Sequence, residues 1–273
     1  MVQQQTCSNG RVAVSNERAA LVALFSTSGF VTPEDEADDL IAHAAGDDER
    51  LRVLVGRRLT GEPLAWITGH MQFCGIEIRV DPGVYVPRGQ TQALAHRAAA
   101  CLPPSGTAID VCTGTGAIAK VLSMARPDAR IVASDIDERA IVCALSNGVE
   151  AVRGDLFMPF PRSLEGLVDV VVGVVPYVPT PALALLQRDA LAFESLSSYD
   201  GGPDGTDILR RVLRESPRFL RPGGVILLEL GGEQADVLRH DLDRLGYDDV
   251  IVLFDDEGDV RGIEAVRRSA SST

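Results

Sequence analysis

Residues 109–126 carry the pattern that most restricts how this chain can fold. Residues 109–111 have the character of a buried strand, a short loop with Gly114 and Gly116 follows, and residues 117–126 have the composition of a helix. Glycine adopts backbone angles that other residues avoid, and it lets a ligand contact main-chain N–H groups directly. A strand, a glycine loop and a helix in this order predict a nucleotide-like cofactor at the carboxyl edge of a parallel sheet.

Composition excludes several classes of protein. The chain has 273 residues, of which 45% are hydrophobic, so it can bury a sizeable aliphatic core. No apolar run approaches the roughly 20 residues that span a bilayer, and the polar start lacks the pattern of a secretory signal. We therefore expect a cytoplasmic protein that does not associate with membranes. The formal net charge is −13 and Lys120 is the only lysine, which argues against nucleic acid as a partner.

Cysteine and histidine give no sign of a cross-link or a metal site. The five cysteines and four histidines are dispersed along the chain, and no two cysteines have the C-x-x-C spacing. Neither a disulfide framework nor a bound metal is predicted.

The first hundred residues predict a helical domain, followed by a segment whose apolar residues alternate as in a strand. A helix is expected at residues 11–28, a second from the N-cap Thr32 to near Gly46, and a third at residues 49–59. Alternating apolar residues at 73–80 predict one strand, followed by a turn at 81–83, a short apolar piece at 84–86 and a helix at 90–101. The expected division is a helical domain at 1–70, a β-hairpin and helix linker at 71–104, a cofactor domain at 105–268, and a disordered tail at 269–273.

Strands and helices alternate from residue 107 onward. Residues 168–175 are nearly all β-branched, which is typical of a parallel strand covered on both faces. A turn is expected at 220–224. The predicted strands are residues 108–111, 130–134, 168–173 and 224–230, with a closing hairpin at 250–254 and 262–266. The predicted fold is α/β: a Rossmann-like, mostly parallel sheet that ends in an antiparallel hairpin.

Three carboxylates decide between two cofactors. Residues 114–119 match G-x-G-x-x-A and Asp135 follows about 20 residues later, which fits a dinucleotide such as NAD. S-adenosylmethionine enzymes also need a close loop and a ribose-binding acid. Asp110, just before the loop, suits the ammonium group of that cofactor, and Asp155 suits the edge of its adenine. With the closing hairpin, these acids favour S-adenosylmethionine over NAD, and with it the fold of class I S-adenosylmethionine-dependent methyltransferases, although a fold never fixes its ligand.

Several motifs then resemble the HemK family, the protein-glutamine methyltransferases that modify peptide chain release factors. The resemblance covers nearly the whole chain. The matching stretches are Gly-Glu-Pro-Leu-Ala-Trp-Ile-Thr-Gly at 61–69, Asp-Pro-Gly-Val-Tyr-Val-Pro-Arg at 81–88, Asp-Val-Cys-Thr-Gly-Thr-Gly at 110–116, Gly-Asp-Leu-Phe at 154–157, Gly-Gly-Pro-Asp-Gly at 201–205 and Leu-Glu-Leu-Gly at 228–231.

The resemblance implies a site, a cofactor and a partner. The cofactor would be S-adenosylmethionine, and the partner a protein substrate such as a release factor, gripped by the helical domain of an enzyme that is a monomer or a dimer. The expected cofactor-binding residues are Asp110, Cys112, Thr113, Gly114, Thr115, Gly116, Asp135, Ile136, Asp155 and Leu156, and the expected catalytic residues are Val174, Val175, Pro176 and Tyr177.

The chain departs from the family at two places. The family has Asn-Pro-Pro-Tyr where this chain has residues 174–177, and its asparagine accepts a hydrogen bond from the NH₂ group of the substrate. Val174 accepts none, while the next backbone carbonyl and the Tyr177 ring remain. The family also has Pro-Glu-Thr-Glu where residues 89–92 contain Gln90 and Gln92, so two carboxylates have become amides. These changes predict a diverged paralogue with an altered substrate or reduced activity.

Three functions stay open at this point. The first is methylation of a glutamine or related side chain in a protein. The second is methylation of the exocyclic amine of adenine in nucleic acid, which uses a similar motif but conflicts with the net acidity. The third is a non-catalytic protein that binds the cofactor, which the loss of the asparagine supports.

Overall fold

The computed structural model describes residues 17–186 and 192–269. The chain divides into two compact units, Met1–Gly69 and His70–Thr273, so that residues 71–104 lie within the second unit. The start of the first predicted helix and all but one residue of the predicted tail lie outside the described residues. Within the described ranges, no helix is long and apolar enough to cross a membrane.

The first unit is built from helices around a small apolar core. They are α1 at residues 17–27, α2 at Pro33–Ala44, α3 at Asp48–Leu59 and α4 at Leu64–Thr68. Asp47 caps α3, since its carboxylate accepts hydrogen bonds from the backbone N–H groups of Glu49 and Arg50, each at 3.0 Å. Thr32 takes the predicted N-cap position of α2, but its side chain makes no capping hydrogen bond.

The prediction of one strand at residues 73–80 is wrong. His70–Phe73 (β1) and Ile76–Arg79 (β2) form an antiparallel hairpin. Cys74 and Gly75 both take positive φ angles, 51° and 73°, and reverse the chain between the two strands. The side-chain Oε1 of Gln92 accepts a hydrogen bond from the Cys74 N–H at 2.8 Å. This contact, 18 residues away along the chain, stabilises a turn that alternation alone does not reveal.

The second unit contains a seven-stranded sheet in the order β5-β4-β3-β6-β7-β9-β8. The pairs among β3 to β7 are parallel, whereas β9 is antiparallel to both β7 and β8. Its elements are α5 at Thr91–Cys101, β3 at Thr107–Val111, α6 at Ala117–Ala125, β4 at Arg130–Asp135, α7 at Glu138–Ser146, β5 at Glu150–Arg153, β6 at Val168–Gly173, α8 at Asp207–Glu215, β7 at Leu220–Glu229, α9 at Gln234–Arg244, β8 at Tyr247–Phe254 and β9 at Val260–Arg267.

Strand β3 shows how the sheet separates its core from its site. Ile109 and Val111 are fully buried in the main core, together with apolar residues of α8 and α9. Side chains alternate along a strand, so Asp110 lies on the opposite face. There its carboxylate accepts a hydrogen bond from the N–H of Ala119 on α6, at 3.3 Å. The same five residues thus supply the core on one face and a buried acid on the other.

Two strand assignments differ from the sequence prediction. Residues 220–224, expected as a turn, belong to β7, whose pairing with β6 shifts register between Val168 and Val170. The irregularity accommodates the Pro-Gly-Gly segment within the strand. Strand β5 was not predicted, because it is a four-residue edge strand whose residues are all exposed or half-buried and do not form an apolar run.

A buried ion pair dominates the electrostatics of the first unit. Arg58 contacts Glu36 through two hydrogen bonds, at 2.6 and 3.1 Å, and both side chains are about nine-tenths buried. Replacing Glu36 by Ala leaves the guanidinium buried and unpaired, so the free energy of unfolding should fall by about 3–5 kcal/mol. Urea unfolding followed by the fluorescence of Trp66, the only tryptophan of the chain, measures the loss.

The matched control is Glu49→Ala. Glu49 pairs with Arg52, but the two side chains are 74% and 70% exposed, so this loss should stay below about 1 kcal/mol. Equal losses for the two variants would contradict a dominant role for the buried pair.

Candidate active site

Two adjoining cavities lie at the carboxyl edge of the parallel strands. The first has a volume of about 150 Å³ and the second about 330 Å³. Four residues line both cavities: Tyr85, Arg88, Val174 and Ser198. The predicted cofactor residues that line the first cavity are Asp110, Cys112, Thr113, Gly114, Thr115, Asp135 and Ile136.

The glycine loop is folded tightly under the first cavity. The Gly114 N–H donates to Oδ2 of Asp135 at 2.9 Å, and the Thr113 N–H donates to the Ser134 carbonyl at 3.0 Å. Gly116 has a φ angle of +79°, and a Cβ there would lie 2.9 Å from the side chain of Val149. Only glycine fits this position, and α6 begins directly after it, so that Ala117 and Ile118 at the start of the helix line the first cavity.

Two buried polar atoms at the first cavity lack partners. Among the described residues, Oδ1 of Asp110 and Oγ1 of Thr115 are the buried side-chain atoms without a hydrogen bond. The other oxygen of Asp110 accepts hydrogen bonds from Thr113 Oγ1, at 2.6 Å, and from Ala119 N–H. Buried polar groups are nearly always paired, so a free acceptor and a free hydroxyl at one cavity mark a place for a polar ligand.

Burial sets the charge of Asp110. Loss of water raises the pKa of this carboxyl from 3.8 to about 7, although the hydrogen bonds from Thr113 and Ala119 act in the opposite direction. A cation at Oδ1 would restore the ionised form, since an opposite charge nearby favours it. The group is therefore suited to a positively charged ligand atom.

Asp135 ends β4 and occupies the rim of the same cavity. Its Oδ1 accepts from the Asp137 N–H and its Oδ2 from the Gly114 N–H, both at 2.9 Å. Burial also raises the pKa of this carboxyl. The neighbouring Ile136 is 67% exposed, an apolar side chain left open at the cavity edge.

Three of the predicted cofactor residues do not line the first cavity. Gly116 lies beneath it. The Asp155 carboxylate forms an ion pair with Arg211, with 2.9 Å between Oδ2 and the guanidinium. Leu156 is buried in the core, and its carbonyl accepts a hydrogen bond from the Ser134 hydroxyl at 2.7 Å. The roles of Asp155 and Leu156 toward an adenine stay predictions.

The four predicted catalytic residues follow directly after β6. Val174 lies on the wall shared by both cavities, Pro176 faces the first and Tyr177 the second. Val175 also borders the second cavity, but it is only 1% exposed and belongs to the core. Of these four consecutive residues, Val174, Pro176 and Tyr177 thus line the cavities, and Val175 anchors the segment in the core.

A glycine-rich loop supports this segment from below. A Cβ at Gly205 would lie 2.2 Å from the Tyr177 carbonyl oxygen, and one at Gly201 would lie 2.8 Å from that of Pro176. The same Tyr177 carbonyl accepts a hydrogen bond from Gln234 Nε2 at 2.7 Å. The Gly-Gly-Pro-Asp-Gly motif is therefore a packing surface for the backbone that carries the site.

Sequence reasoning missed a second group of site residues. Glu194, whose side chain is 1% exposed, accepts a hydrogen bond from the Val86 N–H at 2.8 Å and is paired with Arg88 and the Tyr199 hydroxyl. The Arg88 guanidinium also lies 4.9 Å from the centre of the Tyr85 ring. Burial raises the pKa of the Tyr85 phenol to about 12, so it stays protonated. No spacing in the sequence connects residues more than 100 positions apart.

A further network fixes the Tyr177 ring. Its hydroxyl donates to Oε1 of Glu229 at 2.9 Å, and Gln90 Nε2 donates to the same oxygen at 3.1 Å and to the Tyr177 hydroxyl at 3.2 Å. The Thr91 hydroxyl donates to the other oxygen of Glu229 at 2.6 Å. Burial and the nearby Glu229 carboxylate raise the pKa of Tyr177, so its hydroxyl remains a donor.

The fold is shared with known methyltransferases. A methyltransferase from Pyrococcus furiosus matches with a TM-score of 0.54, at 18% identity, over 81% of this chain and 99% of its own. With the parallel sheet, the antiparallel β9 and the glycine loop, this defines the class I S-adenosylmethionine-dependent methyltransferase fold and confirms the predicted fold class.

Curated relatives define the family more narrowly. Release factor glutamine methyltransferases from Geobacter sulfurreducens, Moorella thermoacetica and Mycolicibacterium smegmatis are 33%, 36% and 31% identical to this chain. The matches cover 76%, 85% and 92% of this chain and 74%, 83% and 97% of those proteins. No family model matches the chain. The chain belongs to the release factor glutamine methyltransferase family, as the motifs predicted, and S-adenosylmethionine is confirmed as its cofactor class.

The raised pKa of Asp110 predicts how stability depends on pH. In ligand-free protein, the folded state holds a proton up to about pH 7 that the unfolded state releases near 3.8, so stability is lost as pH rises between these values. At about 1.4 kcal/mol per unit of pKa difference, the loss is about 4 kcal/mol. Replacing Asp110 by Asn should remove it. Urea unfolding of both proteins from pH 4.5 to 8 measures the difference.

The exposed Asp128 provides the control. Asp128→Asn should follow the wild-type curve across this range. Parallel curves for wild type and Asp110→Asn would mean that Asp110 titrates alike in the folded and unfolded states.

Proposed function

We propose that this chain transfers the methyl group of S-adenosylmethionine to the side-chain amide of a glutamine in a peptide chain release factor. The observation that carries the proposal is the pair of adjoining cavities that meet at Val174, one with the features of a cofactor site and the other open for an acceptor side chain. The family membership supplies the substrate class, since the relatives are release factor glutamine methyltransferases.

The residues of the first cavity fit the cofactor. The free Oδ1 of Asp110 suits an ammonium group, and the free hydroxyl of Thr115 suits a carboxylate, as an amino-acid moiety requires. Asp135 presents carboxylate oxygens for ribose hydroxyls, and Ile136 offers an apolar surface for a base. When bound, S-adenosylmethionine supplies a methyl group on a positively charged sulfur.

The residues of the second cavity would hold the acceptor. The Tyr177 ring, fixed by Glu229, gives a flat face on which a planar amide can stack. Arg88 keeps its charge paired with Glu194, so it closes the wall without presenting a free cation. No general base is required, since the amide nitrogen loses its proton after it has gained the methyl group.

Val174 weakens the orientation of that acceptor. An amide nitrogen is a poor nucleophile, and a hydrogen bond from its NH₂ group to a side chain helps turn the nitrogen toward the methyl group. A missing hydrogen bond of this kind costs about 1–3 kcal/mol, which corresponds to a rate loss of about ten- to a hundredfold. The same valine favours the second candidate, a protein that binds the cofactor without catalysis.

Replacing Val174 by Asn tests these candidates. The variant should transfer labelled methyl groups to purified release factor about ten- to a hundredfold faster than wild type, because an acceptor for the amide NH₂ is restored. Its affinity for the cofactor should stay the same. Transfer is measured by single-turnover incorporation of label, and the modified residue is mapped by mass spectrometry.

Val178→Asn is the matched control, since Val178 lines the second cavity but not the first. It should give no gain in rate. If neither wild type nor Val174→Asn labels any protein although both bind the cofactor, the non-catalytic candidate replaces the enzyme.

Asp110 makes cofactor binding depend on pH. Below its pKa of about 7 the carboxyl is protonated in the free protein, and binding an ammonium group then requires release of that proton. The dissociation constant should rise toward tenfold per unit as pH falls below 7, and should level off above it. Calorimetry with S-adenosylhomocysteine, in two buffers of different ionisation enthalpy, measures both the affinity and the released proton.

Asp110→Asn is the informative variant for this experiment. Its affinity should be lower than that of wild type at pH 8 and nearly constant from pH 5.5 to 8. A wild-type affinity that is equally constant would exclude Asp110 as the ammonium ligand.

A further inference from the structure

Glu229 is a buried acid that is hydrogen-bonded to Tyr177, a residue of the second cavity, and none of its hydrogen bonds within the described ranges comes from a cation. Its side chain lies at the end of β7, in a residue that is 1% exposed. It accepts hydrogen bonds from Tyr177, Gln90 and Thr91 and donates none. Three donors directed at one carboxyl group are the arrangement that an ionised carboxylate requires.

We propose that Glu229 is a positioning residue for methyl transfer, which holds the Tyr177 ring against the acceptor, and that Gln90 is the neutral donor that lets Glu229 do so as an anion. The proposal rests on the proposed function, because it concerns the ring that faces the acceptor. Glu229 itself does not line either cavity among the described residues, so it acts through Tyr177.

The chemistry of position 90 is decisive for this network. Gln90 Nε2 carries two hydrogens and uses them toward Glu229 Oε1 and the Tyr177 hydroxyl. An ionised glutamate at position 90 has no hydrogen to donate, so two carboxylates would stand about 3 Å apart. Like charges at that distance do not both ionise near neutral pH, and the pair retains a shared proton. Gln90 donates hydrogen bonds at any pH, whereas a glutamate could donate one only while it is protonated.

Gln90→Glu therefore converts a pH-independent network into a pH-dependent one. At low pH the shared proton replaces the amide hydrogen, and Tyr177 stays in place. As pH rises the proton is lost, the two carboxylates repel, and the ring is released. We expect kcat of Gln90→Glu to lie near that of wild type at pH 6 and about tenfold below it at pH 9, with the KM for the cofactor unchanged.

Two variants make the test specific. Gln92→Glu introduces the same charge two residues away, where Oε1 accepts from the Cys74 N–H and a carboxylate can do the same. It should show the wild-type pH profile. The double variant Gln90→Glu, Glu229→Gln exchanges the amide and the carboxylate, restores one of each, and should recover the pH-independent rate.

A readout without turnover accompanies the rates. Tyrosine labelled with ¹³C at Cζ gives one resonance for each tyrosine, and Tyr177→Phe identifies that of Tyr177. In wild type and Gln92→Glu this resonance should stay constant from pH 6 to 9, because the pKa of the Tyr177 hydroxyl lies well above that range. In Gln90→Glu it should move, with the same midpoint as kcat.

The outcomes distinguish failure of the positioning role from failure of the proposed function. If the proteins transfer methyl groups but Gln90→Glu and Gln92→Glu share one pH profile, Glu229 is not a positioning residue and the inference fails. The same holds if the Tyr177 resonance of Gln90→Glu does not titrate, or if the exchanged double variant keeps the loss. If no version transfers a methyl group, the proposed function fails, and the positioning role in catalysis fails with it.

Discussion

Strand β3 is paired in parallel with β4 on one side and with β6 on the other, and this pairing aligns the ends of the three strands at Val111. Val111 is aligned with Ser134 of β4 and with Gly173 of β6. The residues that follow these three, Cys112, Asp135 and Val174, therefore lie at the same height along the sheet. They begin the glycine loop, end β4 and begin the segment at 174–177. Strand pairing brings these distant parts of the chain to one edge, as the carboxyl ends of parallel strands require.

Hydrogen bonding at this edge shows which parts await a ligand. Glu194 and Glu229 are buried, and both oxygens of each accept hydrogen bonds from the protein. Asp110 is equally buried, yet one of its oxygens has no partner, and the hydroxyl of Thr115 is likewise free. An unpaired buried polar atom is costly, so a buried acceptor or hydroxyl without a partner marks a place where a ligand supplies the hydrogen bond. Of the fully hydrogen-bonded acids, Glu229 holds Tyr177 rigidly, whereas the unpaired atoms lie at the first cavity.

The sequence revealed what depends on local pattern. The run at Val168–Gly173 and the glycine loop have periodicity and composition that belong to one kind of element, and both lie where they were predicted. The β1–β2 hairpin was missed because its turn uses Cys74, a residue that rarely takes positive φ, and depends on a contact from Gln92. Glu194 was missed for a related reason, since its contacts with Val86 and Arg88 join positions 108 and 106 residues apart. Such pairs are set by the topology of the sheet, which periodicity does not encode.

The two departures from the family affect different parts of one reaction. Val174 lies on the wall between the cavities, where a side chain bears on the direction of the acceptor nitrogen. Gln90 is hydrogen-bonded to the Tyr177 hydroxyl and to Glu229, so it bears on the position of the ring rather than on the nitrogen. Restoring an asparagine at position 174 thus leaves the ring network as it is, because the two residues share no hydrogen bond. On the proposed function, the fixed Tyr177 ring gives a planar amide a flat surface on which to stack, while Val174 offers its NH₂ group no acceptor, so the site keeps a place for the amide but loses part of its orientation.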